Sequence, residues 1–233
     1  MGDAKKLWKE AKASVVGDQT LTLGPYFSKQ VKDQTRHLLF VLARYKFAAR
    51  LLPEARLLKV LELGCNEGMG GLMLIERGHQ LTAVDFDTAA IESAQRAFGD
   101  TGIDWRCEDF LGKTYGAHDA VVSIDVIEHI DPALEDRYME TVAGNLHEHG
   151  FAVIGTPNDS ASKYASKASQ IGHVNLFTHD RLSALMNRYF HQSFLFGVND
   201  EVVHTGFYPM SHYLMALGCS PRKSPLPKSD TNG

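Results

Sequence analysis

From Leu57 to Pro157 the chain alternates short apolar runs with helical patterns, and no other feature limits its possible folds so tightly. The runs are LLKVLELG (57–64), QLTAVD (80–85), IDWRCED (103–109), DAVVSID (119–125) and FAVIGTP (151–157). They are short, bounded by turn residues and rich in Val, Leu and Ile, as expected of strands buried on both faces. The first intervening helix spans Gly68–Arg77 and is closed by Gly78. The second is capped by Asp87 or Thr88, buries Ile91, Ala94 and Phe98, and stops at Gly99. The third opens at Asp131-Pro132 and runs to about His147. Thr178 caps a further helix over 179–189, and HQSFLFGV (191–198) and SHYLMALG (211–218) read as an antiparallel edge pair. The expectation is an α/β, Rossmann-like fold: a mainly parallel seven-stranded sheet, helices on both faces, and an antiparallel strand at the edge.

Residues 1–56 read as a helical extension that caps the domain. Between Ser28 and Leu52, the residues Val31, Leu38, Leu42, Tyr45, Ala49 and Leu52 mark one amphipathic helix, stopped by Pro53 and preceded by a loop over Asp18–Phe27. The domain proper spans 57–219, and the Pro/Ser/Lys-rich stretch 220–233 is expected to be disordered. A hydrophobic content of 44% supports a core without disulfides or metal. Cys65, Cys107 and Cys219 are scattered and form no CxxC pair, which fits a reducing, cytoplasmic setting. MGDAKKLWKE is too polar for a signal peptide, Lys6 stands where myristoylation wants Ser or Thr, and no apolar run is long enough for a membrane span.

In such sheets ligands bind at the carboxyl ends of the strands. The first run ends in ELGCNEGMGG (62–71), where Gly64, Gly68 and Gly70 let a ligand approach the backbone and a helix N-terminus supplies donors. Asn66 stands where a further glycine is common, and asparagine tolerates a left-handed conformation next best. Asp85 ends the second run, at a spacing that lets its carboxylate accept both ribose hydroxyls of an adenosyl cofactor, while Asp87 takes the helix cap. The third run ends in CEDF (107–110), where Asp109 can accept from an adenine amino group and Phe110 can stack on the ring or plug the core. The GxGxxG order of a dehydrogenase is missing, and no Gly-Lys-Ser/Thr follows to make a P-loop.

VLELGCNEG, AVDFD, CEDF, SIDVIEHI and GTPN, in this order, resemble the successive motifs of class I S-adenosylmethionine-dependent methyltransferases, in style closest to the small-molecule O-methyltransferases of the ubiquinone pathway. The resemblance covers about residues 57–218 and implies a methyltransferase. It puts Glu62 and Gly64 at the methionine amino end, Asp85 at the ribose, Asp109 at adenine and Asp125 beside the sulfonium. Cys65, Asn66, Gly68, Phe86, Glu108 and Phe110 complete the expected cofactor contacts.

An oxygen acceptor also needs a base, and His129 and His173 are the best placed of 11 histidines. Asp125, Glu128, His129 and His173 also resemble the ligands of metal-dependent small-RNA 3′-end methyltransferases. The same Glu-His pair occurs in metal-free small-molecule enzymes, so the metal-free reading is preferred. Residues 1–60 carry 12 Lys and Arg against 5 Asp and Glu, leaving an acidic body without a basic aromatic stripe, which disfavours a nucleic-acid substrate. Lys29, Lys32, Arg36, Lys46 and Arg50 suit phosphates of a nucleotide- or lipid-linked sugar, and their helix offers a homodimer surface. The acceptor pocket is expected from Tyr26, Phe27 and His37, from Asn158 and Tyr164, and from Asn199, Asp200, Glu201, His204 and Tyr208. Their mix of aromatic and polar groups suits a small or glycan-type hydroxyl acceptor. The competing class is a cofactor-binding protein of the same fold without activity.

Overall fold

The computed structural model describes residues 2–15 and 20–228. Its helices are α1 (Gly2–Val15), α2 (Pro25–Asp33), α3 (Thr35–Leu51), α4 (Gly71–Ile75), α5 (Thr88–Phe98), α6 (Glu135–Gly144), α7 (Lys167–Gly172) and α8 (His179–Tyr189). Its strands are β1 (Lys59–Leu63), β2 (Gln80–Asp85), β3 (Asp104–Cys107), β4 (His118–Ile124), β5 (Leu146–Pro157), β6 (Phe190–Asn199), β7 (Val202–His204) and β8 (Tyr213–Pro221). They form one sheet in the order β3-β2-β1-β4-β5-β8-β6-β7. The first five are parallel; β8 runs antiparallel to β5 and β6.

The alternating side chains of β1 and β4 divide the core into two layers. Leu61, Leu63 and Val121 pack under α6 and α8 with Tyr138, Met139, Leu182 and Met186. Val60, Ala120 and Val122 pack under α3, α4 and α5 with Tyr45, Ala48, Leu74 and Ile91. Glu62 falls on this second face and is almost wholly buried.

Four expectations need correction. The amphipathic helix after Ser28 is two helices, broken at Gln34 (φ −139°, ψ 39°), and its buried face uses Val41 and Ala48 in place of Leu42 and Ala49, while Val31 is exposed. The helix after Asp131 ends at Gly144, because β5 starts already at Leu146. The sheet has eight strands, since the link after β6 folds back through a two-residue turn at Asp200-Glu201 into β7, with Asp200 left-handed (φ 52°). The stretch expected to be disordered from 220 is ordered as far as 228: Arg222 N–H bonds Tyr189 O, Leu226 N–H bonds Arg188 O, and Lys228 pairs with Asp136. Residues 229–233 of that stretch, like part of the Asp18–Phe27 loop, lie outside the described residues.

Candidate functional site

The loop after β1 is a run of alternating left-handed residues: Gly64 (φ 80°), Asn66 (φ 50°) and Gly68 (φ 79°). Asn66 therefore does what its place among glycines predicted, and its side-chain oxygen accepts from Glu67 N–H at 2.7 Å. A Cβ on Gly64 would lie 2.3 Å from Val126, and one on Gly68 2.3 Å from Trp105, so the loop is held flat against the strand ends beside it. Gly70 lies under the Tyr45 ring, which a Cβ there would strike at 2.2 Å.

Asp85 ends β2 and is buried. Its two oxygens accept from the backbone of Asn66 at 2.8 Å and of Asp87 at 2.9 Å, which fixes the carboxylate facing the loop. Each oxygen keeps a further lone pair for a ligand. Asp87 caps α5, accepting from the N–H groups of Ala89 and Ala90. Beside Asp85, Phe86 is 74% exposed and offers a ring face. Asp109 is exposed, with one oxygen accepting from Leu111 N–H at 2.9 Å and the other open. The Glu108 side chain is turned to Lys113 at 3.5 Å.

Two residues expected at the cofactor bury their side chains. Phe110 is buried and meets Tyr138 edge-on at 6.3 Å, so it plugs the core and presents no face to a ring. The Cys65 thiol is buried too, and burial pushes its pKa well up.

Glu62 points into the layer beneath α3, where Tyr45 Oη donates to Oε1 at 2.7 Å. Its Oε2 is buried with no partner among the described residues. Burial pushes this carboxyl up to about 8 against the pull of the tyrosine bond, with the Asp85 charge adding to the rise.

Asp125, after β4, is left-handed (φ 59°), and both its oxygens accept from Arg44 Nη1, at 2.9 and 2.8 Å. Arg44 comes from α3, lies over the Tyr213 ring at 3.7 Å, and leaves its own Nε buried with no partner among the described residues. Tyr213 Oη is in the same condition. Arg44 was not foreseen, because a pair 81 residues apart has no periodic signature.

Glu67, also unforeseen, accepts from the N–H groups of Tyr26 (2.8 Å) and Phe27 (2.9 Å). It thereby caps α2, whose N-cap Gly24 has no side chain for the task, and ties this helix to the glycine loop. Tyr26 is raised by burial and then by Asp125. His37, held by Gln30 at 3.0 Å, is lowered by burial and then by Arg44.

The two expected histidines do come together. His129 and His173 have ring centroids 5.0 Å apart, and His129 Nδ1 lies 2.8 Å from Gly172 O. A carbonyl only accepts, so Nδ1 carries a proton, and in the neutral ring the lone pair is on Nε2. Burial, and then His129, lower the pKa of His173. Ligand atoms of Glu128, His129 and His173 all lie within 4.8 Å of one another. Glu128 accepts from Thr156 at 3.1 Å through one oxygen, keeps the other buried and free, and is raised by burial and then by Asp125. Asp125 is engaged by Arg44 and stands outside this group, which corrects the four-ligand set to three. The His173 loop is anchored by Asn175: its N–H bonds Glu128 O, and its side chain joins Glu135 and Arg181.

Of the expected acceptor residues, Asn158 is buried and staples Tyr208 O and Ser211 O, while Tyr208 stacks on His179 and bonds Leu195 O. Phe27 is buried. Asn199 and His204 bond each other at 3.0 Å. Tyr164, Asp200 and Glu201 remain exposed. Lys29, Lys32, Arg36, Lys46 and Arg50 are exposed as well.

With this geometry in hand, comparison with known proteins places the chain. Residues 60–150 match the family described as methyltransferase domain. A ubiquinone biosynthesis O-methyltransferase of Chromobacterium violaceum is 32% identical over 112 residues, 46% of this chain and 47% of that protein. The ribosomal RNA small subunit methyltransferase C of Chromohalobacter salexigens is 35% identical over 103 residues, 43% of this chain and 29% of that protein. The chain thus spans about half or less of the length of the curated relatives it matches. Among solved structures, the methyltransferase domain of bacterial CtHen1-C superposes with a TM-score of 0.61 at 18% identity, covering 78% of this chain and 98% of that one. The N-methyltransferase NodS of Bradyrhizobium japonicum, in complex with S-adenosyl-L-homocysteine, gives 0.58 at 18% identity over 83% and 91%. Residues 60–150 thus match a methyltransferase domain, and the chain has the Rossmann-like fold of these solved methyltransferases.

Proposed function

We propose that this chain transfers the methyl group of S-adenosylmethionine to a hydroxyl of a small or carbohydrate-like acceptor, nucleotide- or lipid-linked sugars included. The observation that carries the cofactor half is the left-handed run Gly64-Asn66-Gly68 locked to Asp85. The residues fit the cofactor from end to end. Asp85 offers lone pairs to the ribose, Asp109 an open oxygen to adenine, and Phe86 an exposed ring. The partnerless Arg44 Nε supplies a donor for the carboxylate of the methionine end, and Glu62 Oε2, on giving up its proton, an acceptor for the ammonium. Bound there, S-adenosylmethionine supplies a methyl group on a sulfonium that is already a good leaving group.

What remains for the protein is to position the acceptor, shut out water and take a proton. As the acceptor oxygen took the methyl carbon, the carbon–sulfur bond would break to leave S-adenosylhomocysteine, and the hydroxyl proton would pass to Nε2 of His129, the nitrogen left free by the Gly172 contact. His173 lies beside it with a lowered pKa and serves as the second base. α2, latched by Glu67, covers the site with Tyr26 and Gln30. The relatives named as ubiquinone biosynthesis O-methyltransferases support oxygen as the acceptor atom.

One observation favours a second reading. Glu128, His129 and His173 would hold a divalent cation that polarises the acceptor hydroxyl, since their ligand atoms converge within 4.8 Å and Glu128 keeps a free buried oxygen. Labelled S-adenosylmethionine offered with phenols, catechols, glycosides and nucleotide sugars, with amines as controls, decides between them. Label on oxygen that persists under chelation supports the leading reading; loss on chelation, restored by Mg²⁺ or Mn²⁺, supports the second. Label on amines only would overturn both. Cofactor binding without turnover on any acceptor would leave a non-catalytic binding protein.

A further inference from the structure

We infer that α1 lies flat on an anionic lipid surface. Every side chain of the helix from Asp3 to Val15 is exposed, including Leu7 at 64%, Trp8 at 70% and Val15 at 82%. These are not scattered. At 100° per residue Ala4, Leu7, Trp8, Ala11 and Val15 fall in one stripe along the helix. Lys5, Lys9 and Lys12 border that stripe on the Trp8 side, with Lys6 beyond them, while Asp3 and Glu10 share the far edge.

An apolar stripe carrying Trp and Leu beside a lysine row matches an interfacial helix: the stripe enters the acyl boundary and the lysines reach back to the phosphates. No helix among the described residues is long and apolar enough to cross a membrane, and 14 residues of helix span only about 21 Å, so α1 lies along the surface. A second copy of the chain is a poorer occupant. Ala4 and Ala11 give a protein groove little to grip, and two such helices packed antiparallel would oppose their lysine rows. A helix this short is marginal alone in water, so a surface that takes the stripe also stabilises the helix.

The chain has two tryptophans, so a Trp105→Phe background makes Trp8 the sole reporter. The full chain is mixed with vesicles of phosphatidylglycerol and phosphatidylcholine, or of phosphatidylcholine alone, and followed by co-sedimentation and Trp emission; unsubstituted protein provides the co-sedimentation control. The expected result is co-sedimentation and a blue shift with the mixed vesicles only, reversed by salt. Lys5→Glu with Lys9→Glu should weaken partitioning at least roughly tenfold, and Leu7→Ser with Trp8→Ser should abolish it with S-adenosylhomocysteine binding unchanged. Absence of co-sedimentation, or co-sedimentation indifferent to these substitutions, overturns the inference. So does a blue shift that grows with protein concentration in the absence of vesicles, which assigns the stripe to a second copy.

Discussion

Replacing Arg44 by Met removes the only ion-pair partner of Asp125 among the described residues while keeping most of the aliphatic volume between α3 and the sheet. Deleting one member of a buried pair costs about 3–5 kcal/mol, because the remaining charge is stranded. The Asp125 side chain is 31% exposed, so water screens part of this, and about 1.5–3 kcal/mol is expected. In a domain of this size each kcal/mol moves the melting midpoint by about 2–4 °C, giving a drop of about 3–12 °C. The lost contact with the Tyr213 ring adds to the drop. Asp125→Asn is the matching change, since Asn tolerates the left-handed backbone at φ 59° and keeps one acceptor. A cycle of the two single variants and the double, followed by thermal denaturation, should give a coupling of about 1 kcal/mol or more. Arg44→Met should also weaken S-adenosylhomocysteine about tenfold or more, because a charge-assisted bond from the free Nε is gone. Additive losses with coupling below about 0.5 kcal/mol, and unchanged affinity, would refute this account of Arg44.

Glu67→Ala removes the cap of α2 and should cost about 1–2 kcal/mol, with hydrogen exchange accelerated at the Tyr26 and Phe27 amides; exchange unchanged there would contradict the latch. Glu62 is an acid whose folded pKa is raised to about 8, so the native state holds its proton more tightly than the unfolded chain does. Its contribution is fully present below the unfolded value near 4.5 and is lost as pH rises towards 8, by at most about 1.4 kcal/mol per pH unit. Glu62→Gln should flatten that fall in melting curves taken between pH 5 and 8. Asn175→Ala should loosen the His173 loop and lower turnover more than cofactor affinity, and Asn175→Asp should not rescue it, because it keeps the acceptor for Arg181 but sets a second carboxylate against Glu135; equal losses in both quantities would mark a general folding defect.

The parts of the fold that were legible from sequence are those written in neighbouring residues. The bounds of β2, the Asp87 cap of α5, the Thr178 cap of α8 and the left-handed turn at Asn66 all rest on chemistry within a few positions of one another. The break at Gln34 was hidden because the apolar spacing continues across it. β7 was hidden because VVH is too short to show alternation. In the site, the strand-end acids and the His129–His173 approach followed from topology, which brings the ends of parallel strands and their loops together. Arg44 and Glu67 did not follow from it. Their partners lie 81 and about 40 residues away, and a charged residue on a helix reads as surface until the packing shows otherwise. The two fates left open for Phe110 were separated only by the arrival of Tyr138 from α6.

Calorimetric titration of S-adenosylhomocysteine into the intact chain, repeated with Asp85→Asn and Asp85→Ala, tests whether the loop after β1 and Asp85 hold the cofactor. Saturable one-to-one binding is expected, weakened in Asp85→Asn and lost in Asp85→Ala while both variants still melt cooperatively. No binding to the unaltered chain, or equal binding by all three, would contradict it.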